Sequence, residues 1–458
     1  MDVRGRKIHF MGVAGIGMSA IAEIAARRGA LVSGCDIAAN DNSERVTAAG
    51  ITCLLGHSPA HLRERPDLLV YSSAVPPDSP ELAAARAAGI EIISRSNMLA
   101  RLMDAKQGIG ISGTHGKTTT TWLAAKLLLD AGLDPTIMVG GVVPALGSNF
   151  RAGSGQWFVT EVDESDGLLL EIRPSVSIVT NIDSDHLDHY TGGIDEIEAT
   201  FARYAGNTRQ DGCIIGCADD ERVRRVMAGS GRQTVGYGFT GHAAVRGVNI
   251  RLDALGSCFD AEAGGRRIEG LRVTLLGRHN VLNALAVVAL AGRLGIGDDV
   301  LRRALGEARA VKRRMEKRGE AGGVAVYDDY GHHPTEISAT LAAARLMSAG
   351  RGRLVAVFQP HRYSRTAALL KEFGRCFGDA DHLVVTSIYS ANEPPIAGVS
   401  SAQVVDEVTS AGGRSVQYIP AWSSIVPHLV SVVKPGDVVL FLGAGDIWKL
   451  GDELLKRL

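Results

Sequence analysis

Short apolar runs closed by glycine or polar residues alternate along this chain with longer stretches of helical period. Residues 8–11 read as a buried strand, followed by a glycine turn and an Ala/Ile-rich helix. "ALVSGCD" gives a second strand ending at Asp36, "DLLVYSSAV" a third, and "PELAAARAAGIEIIS" a helix and another strand. "GIGIS" starts the alternation again and runs into "GTHGKTTTTWLAAKLLLDAG", which reads as a loop and a helix ending at Gly132. "QWFVTEVD", "SVSIVTNID" and "GCIIG" continue as strands, "AVRGVNIRLDALGSCFDAE" is sheet-like, and "RHNVLNALAVVALAGRLG" has helical period. After the charged segment "ARAVKRRMEKRGE", the strands "GVAVYDDY", "GRLVAVFQP", "DHLVVTSIY" and "DVVLFLGAG" begin a third series. Alternation of this kind predicts α/β units with open, mostly parallel sheets flanked by helices. The expected divisions are 1–106, 107–312 and 313–458.

Length agrees, since 458 residues at roughly 100–200 per domain make about three domains. Charge is nearly balanced, with 49 Lys plus Arg against 50 Asp plus Glu, so no global attraction to nucleic acid or membrane is expected. The opening residues lack the apolar core and cleavage site of a secretory leader, and no run reaches membrane-spanning length. A cytoplasmic protein is expected, with its six scattered cysteines as buried free thiols.

The chemistry concentrates at strand ends. "GISGTHGKTTTT" (residues 110–121) misses the Walker count, because Ile111 stands where the first glycine belongs. Its parts remain: Gly113 and Gly116 for close backbone approach, Lys117 as a cation, Thr118 as a Mg²⁺-binding hydroxyl, and a helix N-terminus facing the anion. Nucleotide phosphate is the expected ligand. Two acidic loops follow, "TEVDESD" with Glu161, Asp163, Glu164 and Asp166, and "TNIDSDHLDHY" with Asp183, Asp185, His186, Asp188 and His189. They suit Mg²⁺ beside phosphate better than Zn²⁺, but spacing does not choose among the side chains.

"GVAGIG" (Gly12, Gly15, Gly17) inverts the usual dinucleotide order, yet follows a strand and opens a helix, with Asp36 ending the next strand. A dinucleotide or a nucleotide-sugar diphosphate would use the same amides. His57, Ser72 and Ser73 could add hydrogen bonds. In the third series, "YDDYGHHPTE", "FQPHRYSRT" and "LGAGDIW" place Asp328, Asp329, Tyr330, His332, His333, His361, Arg362 and Arg365 at successive strand ends, which points to an anionic ligand.

Taken in order, "GTHGKTTT", "TEVDESDG", "NIDSDHLDHY", "GRHNVLNALA", "YDDYGHHPTE", "FQPHRYSRT" and "GAGDIW" resemble the Mur ligases over essentially the whole chain. The resemblance implies a Rossmann-like N-terminal domain for a UDP-sugar, a P-loop-type central ATPase domain and a Rossmann-like C-terminal domain for an amino acid. It implies that L-alanine is joined to the carboxylate of UDP-N-acetylmuramate through an acyl phosphate, with ATP as substrate and two Mg²⁺. The enzyme would be a monomer or weak homo-oligomer. By this resemblance Lys117, His186 and Arg314 are catalytic. Gly113, Thr114, Gly116, Lys117, Thr118, Thr119, Asn280, Asn283, Arg314 and Asp329 bind ATP. Thr118, Glu161 and His186 hold metal. Gly12, Gly15, Gly17, Asp36, Ser72 and Ser73 take the UDP-sugar, while Tyr330, His332, Arg362, Arg365 and Ala444 take the amino acid. Several relatives use a carbamylated lysine for the second Mg²⁺; here no lysine lies between Lys126 and Lys312, as expected of the alanine-adding branch. A ligase that recycles whole peptides is the rival within the family, and a nicotinamide-dependent dehydrogenase the rival outside it.

Overall fold

The apolar runs become the strands of three open sheets. The computed structural model describes residues 2–164, 168–185, 190–348, 352–413 and 415–458. The first sheet is parallel throughout, in the order Thr52–Leu55, Leu31–Asp36, Lys7–Met11, Leu68–Tyr71, Glu91–Ser94. Strand order reverses beside Lys7–Met11, which pairs Ile8 with Val32 on one side and with Leu68 on the other. A crevice for ligand opens at such a reversal, and the first glycine turn lies there.

The second sheet is built on parallel strands in the order Gln233–Gly238, Cys213–Cys217, Val176–Val179, Gln107–Ser112, Trp157–Glu161, Thr136–Val143. Val245–Asp253 joins it in parallel beside Gln233–Gly238, and antiparallel pairing then extends it through Gly256–Ala263 and Arg266–Val273 at that end and Ser148–Arg151 at the other. Cys213–Cys217 is buried along its whole length, as expected of a parallel strand covered on both faces. The helices Lys117–Asp130 and Arg278–Leu294 cover one face. Trp122, Leu123, Leu127 and Leu128 of the first pack into the same apolar cluster as Val281, Leu285 and Val288 of the second. Each such buried side chain contributes about 1.5–3 kcal/mol. The third sheet runs Glu316–Ala321, Val324–Asp329, Val438–Leu442, Leu354–Phe358, His382–Val385, Val416–Tyr418, antiparallel only at its first pair.

The two seams between these units differ in chemistry. The first unit meets the second through apolar side chains: Met98, Leu99 and Leu102 share one cluster with Phe158, Val162 and Leu169. The third unit meets the second through polar groups. Arg365 donates to Asp185 Oδ1 at 2.9 and 3.0 Å, and Thr335 Oγ1 donates to Asp183 Oδ2 at 2.9 Å. No helix among the described residues is long and apolar enough to cross a membrane. The six cysteines are free thiols, as expected, but only Cys35, Cys213, Cys217 and Cys376 are buried; Cys53 and Cys258 are partly exposed.

Candidate active site

The strand Gln107–Ser112 delivers the chain into the loop 113–116, and the helix Lys117–Asp130 carries it away. Two positions in this loop require glycine. Gly113 has φ +131°, and a Cβ there would lie 2.0 Å from Thr180 Oγ1. Gly116 has φ +82°, and a Cβ there would lie 2.7 Å from Asn283 Oδ1. The loop is therefore pressed against the end of the neighbouring strand Val176–Val179 and against the helix Arg278–Leu294. The His115 N–H donates to Asn181 Oδ1 at 2.8 Å, which fixes the loop's height above the sheet.

Lys117 is buried and curls back on its own loop. Its Nζ donates to Gly113 O at 2.7 Å and to the Glu164 carboxylate at 2.8 and 3.1 Å. Burial opposes the ammonium, but Glu164, Asp163 and Glu161 outweigh it and raise the Lys117 pKa. Burial also pushes the Glu164 carboxyl up to about 7, against the pull of Lys117. The neighbouring Thr118 hydroxyl donates to Glu161 at 2.9 Å, and the Gly140 N–H donates to the same carboxylate at 2.9 Å. A hydroxyl and a carboxylate in contact are hard oxygen donors of the kind Mg²⁺ takes. His186, Asp166, Asp188 and His189 lie outside the described residues.

A cavity of about 690 Å³ opens beside the loop, walled by both the second and third units. Gly116, Thr118 and Thr119 form one wall, Asn280 and Asn283 another, and Arg314 and Asp329 face them. The Asn283 amide donates to Asn280 Oδ1 at 3.0 Å, and Thr120 Oγ1 donates to Asn283 Oδ1 at 3.1 Å, so the two asparagines are locked to the loop's helix. Thr114 supports the acidic strand end, its Oγ1 accepting from the Asp183 N–H at 2.9 Å. Asp329 accepts from the backbone N–H groups of Met315 at 2.7 Å and Gly331 at 2.8 Å. It thereby shapes the turn that carries Tyr330, whose ring centroid lies 5.0 Å from the Arg313 guanidinium and 5.2 Å from that of Arg314.

The amino-acid candidates gather near this cavity but do not act as one group. Arg365 grips Asp185, whereas Arg362 lies 3.9 Å from Glu393. The paired arginines thus engage different carboxylates in the described arrangement. The reason is local: Arg362 precedes the helix Tyr363–Ala368 with φ +67°, while Arg365 lies inside it. His332 and His361 stand 5.6 Å apart, and burial lowers them to about 4 and about 3, so both are neutral at pH 7. The Ala444 carbonyl accepts from Arg313 Nη1 at 3.2 Å.

At the first glycine turn, Gly12 has φ +80°, and a Cβ there would lie 2.9 Å from Ser72 Cβ. The Asp36 carboxylate accepts from the Ala14 N–H at 2.9 Å, so it braces the turn itself. Gly15 is the N-cap of the helix Ile16–Arg27, and a Cβ on Gly17 would lie 2.8 Å from Arg95 Nη1. Ser72 accepts from the Ala74 N–H at 3.3 Å, and Ser73 is exposed. A second cavity of about 280 Å³ leads from Gly17 and Arg95 to Gly140, Glu161 and Asp163.

Three side chains of the site escaped sequence reasoning. Arg95, at the head of a helix, carried no motif. His115 sat unremarked inside the phosphate loop, and Glu336 inside "HHPTE", where a proline followed by an acidic residue marks a helix start. His115 reaches Asp183 Oδ2 at 3.2 Å and Glu336 Oε1 at 3.4 Å. Burial works against the imidazolium, but these two carboxylates raise it to about 9. Burial likewise opposes ionisation of Glu336, yet His115, His332 and Arg314 hold it well below the usual carboxylate range.

Residues 7–107 match the Mur ligase family, catalytic domain; residues 111–291 match the Mur ligase middle domain; and residues 313–445 match the Mur ligase, glutamate ligase domain. The chain is 44% identical to the UDP-N-acetylmuramate–L-alanine ligase of Trichlorobacter lovleyi, covering 99% of both. It is 43% identical to the ligase of the same name from Rhizobium meliloti, over 98% of this chain and 96% of that one. Among solved structures, the UDP-N-acetylmuramate-alanine ligase of Thermotoga maritima superposes with a TM-score of 0.79 at 30% identity, covering 99% of each chain. A murein peptide ligase from Psychrobacter arcticus superposes with a TM-score of 0.70 at 25% identity, over 99% and 98%. The family and the three-unit α/β fold expected from the motifs are borne out.

Proposed function

The chain belongs to the Mur ligase family, and we propose that it joins L-alanine to the carboxylate of UDP-N-acetylmuramate, with ATP converted to ADP and phosphate, in peptidoglycan precursor synthesis. One observation carries this reading beyond family membership. Thr118 lines the larger cavity and Glu161 the smaller, and a 2.9 Å hydrogen bond joins the two side chains. A nucleotide in the larger cavity and a sugar carboxylate in the smaller would approach each other across that pair. A dehydrogenase has no use for such a junction. The naming of the full-length relatives favours the alanine-adding reaction over peptide recycling.

The reaction brings two anions together. The muramyl carboxylate attacks the γ-phosphorus of ATP, the bond to ADP breaks, and an acyl phosphate results. The amine of L-alanine then attacks the acyl carbon, and phosphate leaves with its electron pair. Magnesium, held by Thr118 and Glu161 with His186 at a second ion, would neutralise phosphate charge and bring the oxygens into line.

Lys117 exchanges Glu164 for the β- and γ-phosphates, with the amides of residues 113–119, Thr114 and Thr119 included, cradling the chain of phosphates. Asn280, Asn283 and Asp329 border the nucleoside, and Arg314 supplies positive charge from the third domain. Gly12, Gly15, Gly17, Ser72 and Ser73 border the UDP diphosphate, and Asp36 holds their turn. Tyr330, His332, Arg362, Arg365 and Ala444 border the amino acid. Arg365 is committed to Asp185 in the described arrangement, so gripping an alanine carboxylate requires it to change partner. The polar seam between the second and third domains suits such a movement, which would also keep water from the acyl phosphate. The enzyme is read as cytoplasmic and as a monomer or weak homo-oligomer.

Phosphate release tests this directly. With ATP, Mg²⁺ and UDP-N-acetylmuramate present, L-alanine should support turnover and an L-alanine-led tripeptide should not. Turnover with the tripeptide alone would replace this reading by the recycling one.

A further inference from the structure

Away from both cavities, the first domain gathers metal-ligand chemistry that the ligase reaction does not use. His9 lies mid-strand in Lys7–Met11, Cys35 near the end of Leu31–Asp36, His61 in the short helix Pro59–Glu64 and Glu81 in the first turn of Pro80–Ala87. Four separate elements thus point one donor each at a common centre, and the four donor atoms all fall within 4.8 Å of one another. Glu81 Oε1 stands 3.0 Å from His9 Nε2 and 3.3 Å from His61 Nδ1, and Glu81 Oε2 stands 3.4 Å from Cys35 Sγ. Bonds of about 2.0–2.3 Å to a tetrahedral zinc ion would set neighbouring ligand atoms about 3.3–3.7 Å apart; Glu81 Oε1 stands near that distance from both imidazole nitrogens, and every pair of the four donors lies within 4.8 Å.

Two details distinguish the cluster from an ordinary buried hydrogen-bond network. His9 is 1% exposed, and its Nε2 makes no properly angled hydrogen bond although the carboxylate oxygen is near. Its other nitrogen, Nδ1, is held by Ser33 Oγ at 2.8 Å. A ring anchored at one nitrogen with the second aimed into a cluster of donors is how metal-binding histidines are set. His57 borders the centre, its Nδ1 3.1 Å from Cys35 Sγ, and together with His61 it lies on the more accessible side.

We propose that His9, Cys35, His61 and Glu81 form a zinc-class metal site in the first domain. The soft thiol and two imidazoles select Zn²⁺ over Mg²⁺. Binding displaces the thiol proton to solvent, so that one thiolate and one carboxylate balance the ion's two charges within the apolar interior. The ion would fasten two strands of the sheet to the segments that follow. Cys35 is also where the first glycine turn is tied, because its carbonyl accepts from the Gly12 and Val13 N–H groups at 2.8 and 3.1 Å. The site would therefore act as a staple beneath that turn.

Cobalt substitution tests this on the untagged full-length protein, stripped of metal and titrated with Co²⁺ in the presence of excess Mg²⁺. One equivalent should give intense tetrahedral d–d bands and a near-ultraviolet thiolate-to-cobalt band, both bleached by one equivalent of Zn²⁺. Cys35→Ser should abolish the thiolate band, and His61→Gln, on the accessible side, should weaken Zn²⁺ at least tenfold in competition with a chromophoric chelator. Weak, octahedral cobalt spectra, or a thiolate band that survives in a folded Cys35→Ser protein, would overturn the proposal. Should Cys35→Ser fail to fold, unaltered Zn²⁺ affinity in His61→Gln would overturn it equally.

Discussion

The turn at Gly12–Gly17 and the loop at Gly113–Thr118 both leave a central parallel strand and open a helix, yet their surroundings differ. In the first, the brace is a carboxylate bonded to a backbone amide, Asp36 to Ala14, and the turn itself carries no charged side chain. In the second, the loop and the start of its helix bring His115, Lys117 and Thr118, and Glu161, Glu164, Asp183 and Glu336 close around them. Backbone geometry of this kind suffices to hold an anion. Doing chemistry on one requires charge placed where it will be neutralised and redistributed. The lesson is that strand, turn and helix announce a phosphate site, whereas the side chains around it say whether phosphate is only gripped or also transferred.

The largest test removes the loop cation. Lys117→Ala should lower kcat by about 10²–10³-fold, as loss of a principal charge-stabilising donor does. UDP-N-acetylmuramate affinity, measured by calorimetry, should stay near that of the parent. Turnover within a few-fold of the parent, in a protein with unchanged circular dichroism, would erase the distinction between the two turns.

A crossed pair of glycine substitutions is the next sharpest test. Gly12→Ala forces a β-carbon to within 2.9 Å of Ser72 Cβ at φ +80°, and Gly116→Ala forces one to within 2.7 Å of Asn283 Oδ1 at φ +82°. Strain of this kind costs about 1–3 kcal/mol. Gly12→Ala should raise the KM for the UDP-sugar about tenfold and leave that for ATP alone; Gly116→Ala should do the reverse. Equal effects on both constants would mean that the turns serve one shared ligand.

Much of this contrast was legible in the sequence. The strand–loop–helix order around "GTHGKTTT" and the acidic strand ends after it follow from apolar runs and glycine, and the structure has those elements. Two kinds of information were missing. One was pairing across long separations: that Lys117 meets Glu164 depends on Gln107–Ser112 pairing with Trp157–Glu161 in one sheet, and that Arg365 meets Asp185 depends on how two sheets dock, neither of which a local pattern encodes. The other was the meaning of single unrepeated residues. His9, Cys35, His61 and Glu81 are scattered over more than seventy positions and become neighbours only when the first sheet orders its strands. Spacing finds a metal site when the ligands share a loop, and here each comes from a different element.

The smallest effect lies in proton linkage and concerns His115, a titrating group for which the first turn has no counterpart. Its folded pKa is raised from the ordinary 6.5 to about 9 by Asp183 and Glu336, against burial. Below pH 6.5 the imidazole is charged in both folded and unfolded chains, and its pairing contributes fully to stability. Between pH 6.5 and 9 the unfolded chain loses the proton and the folded one keeps it, so folding must take a proton up. Stability therefore falls as pH rises through this window, and the contribution is gone above it. Glu164, raised from 4.5 to about 7, also costs stability as pH rises, but chiefly over pH 4.5–7. Glu336, held low, matters only as pH falls below its ordinary value. Over pH 7–9 two other kinds of group contribute: burial lowers Lys106 from 10.5 to about 8, which adds stability as pH rises past 8, and raises the buried Cys35, Cys217 and Cys376 thiols, which removes it toward pH 9, so His115 is read from the difference between parent and variant. In urea melts over that interval the parent protein should lose about 1 kcal/mol more than His115→Gln, allowing for the half-exposed Asp183. The loss should follow the second domain, because His115 ties the loop 113–116 to the third domain through Glu336. Were the same slope to persist in His115→Gln, the charge around the loop would be no more organised than that around the first turn.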